Sequence, residues 1–419
     1  MQQVIPILLL LLACAIFTVN GLNILGIFEL PSKSVHILGH ELLVGLARRG
    51  YNVTLISSFP VEQKIQNYSH VYLDGTVEFK EKNFGHMIQG QSKLGALSLI
   101  NGQSKLVDMI LHSKTMEEFL KSDNKYDIII QTYAFNEAYL ALAHHFDARV
   151  IGFVPFSTLP HILSLTGNSA PYSYVPLPFL GYTDDMTFLQ RTMNVILGHF
   201  ISLVHSLYLY PKQEAILRSR FPDFPPIEQI EEDRVDLIFS NVHFSNESPR
   251  PKTPNIVHIG GYHVQEPEPL TPDVQKILDN SSEGVVFLAF GTNIDTAKLP
   301  QERIDAFIHT FSKIPYKVLL KFDGVLRNKP NNVETVAWLP QKGVLAHPNT
   351  KIFISHGGKG SATESLYYGV PVLCVSFYGD QKKNCEDISD YDYGVHLPYE
   401  EVTKETFKEA FDELNTNPK

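Results

Sequence analysis

Short apolar runs alternate with amphipathic stretches along most of the chain, the patterning of successive strand–helix units. Leu22–Phe28 is the first such run. Val35–Arg49 follows with Leu38, Leu42 and Leu46 on one helical stripe, and Gly50 ends it. Asn52–Ser57 then completes a strand–helix–strand unit. Asp127–Gln131, Arg149–Phe153 and Asp236–Ser240 read as further strands, with a helix near 136–146. The proline-rich stretch Pro249–Pro254 marks a linker, taken as 249–270. The pattern then restarts with Val285–Phe290, Lys317–Phe322, Val333–Trp338, Lys351–Ser355 and Val370–Ser376. The expected architecture is α/β: two doubly wound, Rossmann-like parallel domains, 22–248 and 271–419, facing a cleft. Met186–Tyr210 is mostly apolar and helical, but Gln190, Arg191, His199 and His205 interrupt it. That favours a buried or membrane-facing helix over a bilayer span.

The densest chemistry lies between Trp338 and Leu397. One strand ends in His356-Gly357-Gly358 and leads to a helix carrying Ser361 and Glu364; the next ends at Gly379-Asp380-Gln381. Polar groups at the carboxyl ends of parallel strands are where α/β sheets hold ligands. Glycines let backbone N–H groups approach, and a helix N-terminus favours an anion. Spacing alone therefore points to a phosphate-bearing ligand.

Trp338, Pro340-Gln341, His356-Gly357-Gly358, Ser361, Glu364, Gly369-Val370-Pro371, Asp380-Gln381 and Asn384 together closely resemble the nucleotide-sugar signature of the animal UDP-glycosyltransferase and UDP-glucuronosyltransferase family, insect-like members included. The resemblance implies the GT-B fold, with the acceptor bound by the first domain and UDP-sugar by the second. It implies that Trp338 and Gln341 hold uracil, and that His356, Ser361 and the amides around Gly358 bind diphosphate. Glu364 would accept the ribose hydroxyls, and Asp380 and Gln381 those of the sugar. Phe290-Gly291-Thr292-Asn293 resembles the family's first phosphate turn in this half, which gives Thr292 a phosphate oxygen. Against these, Trp338 as a core residue and Asn384 as a helix-surface or capping residue are the plainer readings.

Sugar transfer to a hydroxyl needs a base. The resemblance implies a histidine at the start of the first helix, paired with a carboxylate from a later strand. His36 occupies that region, displaced by one residue, with His40 one turn on. The strand Tyr126–Thr132 carries Thr132 where the family has its acid. Thr132 can orient an imidazole but not stabilise imidazolium. Asp127 starts the strand, far from its carboxyl end; Glu137 is either a partner that swings in or a structural acid.

The chain has 419 residues, 44% hydrophobic, with net charge −10. That balance excludes a nucleic-acid partner. Val4–Val19 is apolar and reads as a secretory signal ending near residue 21, without the usual leading positive charge. Sequons at Asn52, Asn67, Asn246 and Asn280 agree with an endoplasmic-reticulum or secreted location. Asn52, in a strand, is expected to stay unmodified. The three cysteines suggest neither a disulfide framework nor a metal site. No cofactor is expected; the UDP-sugar is a co-substrate. The resemblance also implies C-terminal helices, a transmembrane segment and a basic tail beyond Lys419, so the chain reads as C-terminally truncated.

Two functions fit. The first is an inverting transferase moving glucose or glucuronate to a small lipophilic hydroxyl compound, with Tyr172, Tyr174 and Phe179 in an apolar acceptor pocket. A glucuronate carboxylate asks for a cation beside Asp380-Gln381, and none stands out, which favours glucose. The second is an impaired member that binds UDP-sugar or lipophile, or associates with homologous subunits or a membrane surface.

Overall fold

The computed structural model describes residues 21–88, 96–264, 267 and 269–416; the signal-peptide reading falls almost wholly outside them. Strands β1 (Asn23–Phe28), β2 (Asn52–Ser57), β3 (Tyr68–Tyr72), β4 (Ile128–Thr132), β5 (Arg149–Val154), β6 (Val235–Ser240) and β7 (Ile256–His258) form one sheet. Its order is β3-β2-β1-β4-β5-β6-β7. Strands β8 (Val285–Ala289), β9 (Lys317–Lys321), β10 (Val333–Val336), β11 (Thr350–Ser355), β12 (Val372–Ser376) and β13 (Gly394–Pro398) form the second, ordered β10-β9-β8-β11-β12-β13. Every pairing is parallel. Apolar runs such as Val285–Ala289 are buried throughout because helices cover both faces.

Three strands escape the apolar pattern. β3 and β13 are edge strands with half-exposed residues. β7 lies inside the 249–270 stretch read as a linker, and adds to the edge of the first sheet through Ile238–Ile256 pairing. The connection thus carries a strand despite its prolines.

Met186–Tyr210 is helical from Phe188. A helix Phe188–Val204 passes through a π turn, His205–Leu209, into Tyr210–Arg220. Among the described residues this run alone is long and apolar enough to cross a membrane. One side is fixed to the protein: buried Asn194 receives the Leu177 N–H and donates to the Tyr172 and Val175 carbonyls. The other side exposes Phe188, Leu189, Ile196, Phe200, Leu203 and Leu207.

The cysteine expectation is corrected. Cys374 in β12 and Cys385 on the helix Gln381–Asp390 form a disulfide. The helix packs back over the strand it follows and brings the two Cα atoms to 5.4 Å. The sequon at Asn246 is also corrected. Its side chain is buried and donates to Thr363 Oγ1 at 2.9 Å, so it presents no glycan acceptor. Asn52, Asn67 and Asn280 are exposed.

Candidate active site

In both sheets the strand order reverses between a first strand and its non-consecutive neighbour, β1/β4 and β8/β11. Loops leaving such a pair diverge and open a crevice. The two crevices face each other: Asn293 after β8 donates to Ser32 after β1 at 3.3 Å and receives Lys80 Nζ at 2.8 Å.

The second crevice assembles most of the expected donor residues. Trp338 is not core. The strand stops at Val336, and the ring is 50% exposed, with Lys33 Nζ of the first domain 4.0 Å and Lys321 Nζ 4.9 Å from its centroid. It is an aromatic platform standing in the cleft. Gln341 Nε2 donates to Ser361 Oγ at 2.9 Å and to Glu364 Oε2 at 2.6 Å. His263 Nε2, 3.6 Å from Glu364 Oε1, adjoins this cluster. Burial and then Lys342 lower His263 to about 4.

His356 leaves β11 and leans on Gly291, which leaves β8 at φ 73°. A Cβ at Gly291 would meet His356 Cε1 at 2.6 Å, so only glycine fits by both conformation and space. His356 Nδ1 and Thr292 Oγ1 are enclosed and have no partner among the described residues. Burial, then Lys321, lowers His356 to about 4, so the ring is neutral and offers one N–H. Gly358 is the N-cap of the helix Lys359–Tyr368. An orphaned hydroxyl and an orphaned ring nitrogen beside a helix N-terminus suit an oxygen-rich anion.

At the end of β12 the assignments divide. Burial raises the Asp380 carboxyl, which accepts from Asn384 Nδ2 at 2.8 Å. The same nitrogen donates to the Gly357 carbonyl at 2.9 Å. Asn384 is therefore buried and fastens two ligand loops, rather than serving as a surface or capping residue. Gln381 Oε1 accepts the N–H groups of Phe377 and Tyr378 at 2.9 and 3.1 Å, so its carbonyl shapes the turn.

The first crevice overturns the His36–Thr132 pairing. His36 is buried, with Nδ1 3.1 Å from Ser57 Oγ, whose hydroxyl also lies 3.0 Å from His70 Nε2. Ser57 ends β2 and His70 is in β3, whereas Thr132 ends β4 on the opposite side of β1. Thr132 Oγ1 instead contacts the Ile27 carbonyl and Glu29 Oε2, both at 3.0 Å. One residue of helix turns a side chain by about 100°, and that offset aims His36 at the β2/β3 side. Burial, followed by His40, His70 and Lys33, lowers it to about 4. His40, the reserve candidate, is bonded to Tyr68 OH at 2.8 Å. Glu137 pairs with His205 at 2.9 Å, and Asp127 accepts the Asn23 N–H at the sheet's other end.

The carboxylate that does stand beside Thr132 is Glu29, directly after β1. Asn136 Nδ2 donates to its Oε1 at 2.8 Å and Gln103 Nε2 at 3.3 Å. It is enclosed, and burial outweighs its hydrogen bonds to raise it to about 7. Sequence reasoning passed over it; the available signal was an acid placed directly after an apolar strand at a switch point.

The profile of the family described as "UDP-glucoronosyl and UDP-glucosyl transferase" matches residues 19–419. The chain belongs to this family. It is 32% identical over 421 residues to UDP-glycosyltransferase UGT4 of Dactylopius coccus, covering 98% of this chain and 82% of the relative. It is 29% identical to UDP-glucosyltransferase 2 of the same insect, covering 95% and 78%. Identity to 2-hydroxyacylsphingosine 1-beta-galactosyltransferase of Rattus norvegicus is 26%, covering 94% and 71%. The fold is that of the GT-B transferases. The glycotransferase of kitacinnamycin superposes with a TM-score of 0.62 at 16% identity, covering 95% of this chain and 92% of that one. This family transfers sugars from UDP.

Proposed function

We propose that the protein transfers a hexose from its UDP-sugar to a hydroxyl of a small lipophilic acceptor with inversion, and that Glu29 accepts the proton. The acceptor oxygen attacks the anomeric carbon, the bond to the UDP oxygen breaks, and the hydroxyl proton passes to the Glu29 carboxylate. The observation that carries this reading is the Glu29–Thr132 contact at the β1/β4 switch point, opposite the Trp338 and His356 crevice. A carboxyl raised to about 7 is divided between acid and base near neutrality, which suits proton transfer. Gln103 holds Glu29 by the longest of its bonds, and an acceptor hydroxyl takes that place. Glucose is favoured over glucuronate because Lys383, which follows the sugar turn, is committed to Asp387. Tyr172, Tyr174 and Phe179 belong to the acceptor side.

The second reading is a UDP-sugar binder with little turnover. It draws on the bond of His36 to Ser57 rather than to a carboxylate, and on the full enclosure of Glu29. Turnover of UDP-glucose with a phenol, beside calorimetric UDP binding, separates the two. Product formation in the wild type and its loss in Glu29→Gln, with UDP binding intact, supports the first; binding without any product supports the second.

A secretory location fits the same reading. The Cys374–Cys385 disulfide needs an oxidising compartment, and Asn67 and Asn280 are exposed sequons. The apolar stripe from Phe188 to Leu207 then lies along a membrane surface, its other side tied down by Asn194. Flotation with lipid vesicles tests this: Phe200→Glu releases the protein from the vesicle fraction, and retention of that variant contradicts it.

A further inference from the structure

Beyond the carboxyl ends of β4 and β5 lies a buried group of titratable side chains without a role in the transfer step described above. Glu137 stands in the turn Glu137–Tyr139, His161 in the helix Pro160–Leu165, and His205 opens the π turn. Their ligand atoms lie within 4.8 Å of one another. His205 Nε2 is 2.9 Å from Glu137 Oε1, and the His161 and His205 rings stack at 4.0 Å. Glu137 is 1% exposed, yet its Oε2 is enclosed without a partner among the described residues. Both nitrogens of His161 are enclosed in the same condition. Three orphaned polar atoms at one place are costly to bury unless something polar fills it. We propose that Glu137, His161 and His205 bind a divalent cation of the zinc type.

The donor set decides the class. Two imidazoles and one carboxylate are borderline ligands that suit zinc better than calcium or magnesium, and three protein ligands leave a fourth position for water. Bonds of about 2.0–2.2 Å require the three groups to close in and one imidazole to turn out of the His161–His205 stack, because an imidazole's lone pair lies in its ring plane. The three ligands come from segments far apart in sequence, so no short motif marks them.

The cation also has a consequence for transfer, which rests on the proposed role of Glu29. Asn136, next to Glu137, holds Glu29 at 2.8 Å and takes its own place from the Thr132 carbonyl and the Ala134 N–H. A cation on Glu137 pins this segment and makes Glu137 a positioning residue.

The test uses the full chain with zinc and with cobalt as a visible-absorption probe. The wild type should retain stoichiometric zinc through dialysis, give the absorption of a tetrahedral nitrogen–oxygen cobalt site, and melt at a higher temperature with zinc. Glu137→Gln and His161→Phe, which keeps the ring stack, should each lower zinc affinity at least about 10-fold; His112→Ala, at an exposed histidine, should not. Absence of stoichiometric metal and of the cobalt spectrum in the wild type overturns the site, as does unchanged affinity in both variants. These readouts hold whether or not Glu29 proves to be the base. If the two variants do not fold, the wild-type cobalt spectrum alone decides.

Discussion

The crevices at the β8/β11 and β1/β4 switch points occupy equivalent places in two similar sheets, yet they keep their polar residues in different ways. After β8 and β11 the motif residues sit in one place: Gln341 bonds Ser361 and Glu364, and His356 and Thr292 keep unpartnered polar atoms. After β1 and β4 the residues at the motif positions do not meet, and an acid from a neighbouring position stands in the gap. Phosphate recognition depends on backbone amides and on glycines that only one sequence pattern provides, so it is rigid to substitution. A proton acceptor needs only a carboxylate or imidazole within reach, so it can move from one strand end to another.

The largest effect is expected where the two crevices differ. Glu29→Gln should lower kcat by about 10²–10⁴-fold, the usual contribution of a general base, while UDP affinity stays unchanged. Calorimetry alongside a product assay checks both halves of that statement. An equal loss of UDP affinity would dissolve the contrast between crevices. In the donor crevice, His356→Ala or Glu364→Ala should cost about 1.5–3 kcal/mol of UDP binding, since each removes a hydrogen bond to a charged ligand or group. Unchanged affinity in both would remove the nucleotide site.

The seam between the domains offers a third, pH-dependent comparison. Glu247 is buried beside Arg250 and Lys359, with Ser157 Oγ donating at 2.6 Å. Burial works against its charge, but the two cations override it and hold the carboxyl down at about 2, against an ordinary 4.5. A depressed carboxyl stabilises the fold fully above its unfolded value and loses that contribution as pH falls through its folded value. About 3 kcal/mol should therefore fade between pH 4.5 and 2. Thermal unfolding should show Glu247→Gln much less stable than the wild type at pH 7, and the gap should close toward pH 2. Glu29 carries the opposite sign. Its raised carboxyl favours the fold below 4.5 and loses that advantage as pH rises through about 7. Glu29→Gln should thus be the more heat-stable protein above pH 7, by an amount of the same order as the Glu247 effect.

Most of the fold was legible because buried parallel strands read as continuous apolar runs, as in β8 and β12. β3 and β13 were not, because half-exposed edge strands carry mixed residues. The donor crevice was legible because its residues sit at fixed offsets from glycine turns. The acceptor crevice was not. Motif position put His36 near the cleft, but the direction of a helical side chain depends on a single residue of register. Glu29 and the Cys374–Cys385 bond arise from contacts between elements that sequence order does not display.

The central claim is that Glu29, rather than His36, takes the acceptor proton. It is tested most directly by the pH dependence of kcat/KM for the wild type, Glu29→Gln and His36→Ala. The account predicts that wild-type activity rises through an inflection near pH 7, as Glu29 loses its proton. His36→Ala should keep that inflection, and Glu29→Gln should be low and flat. A Glu29→Gln variant that retains the wild-type profile, beside a His36→Ala variant that loses all turnover, would contradict it.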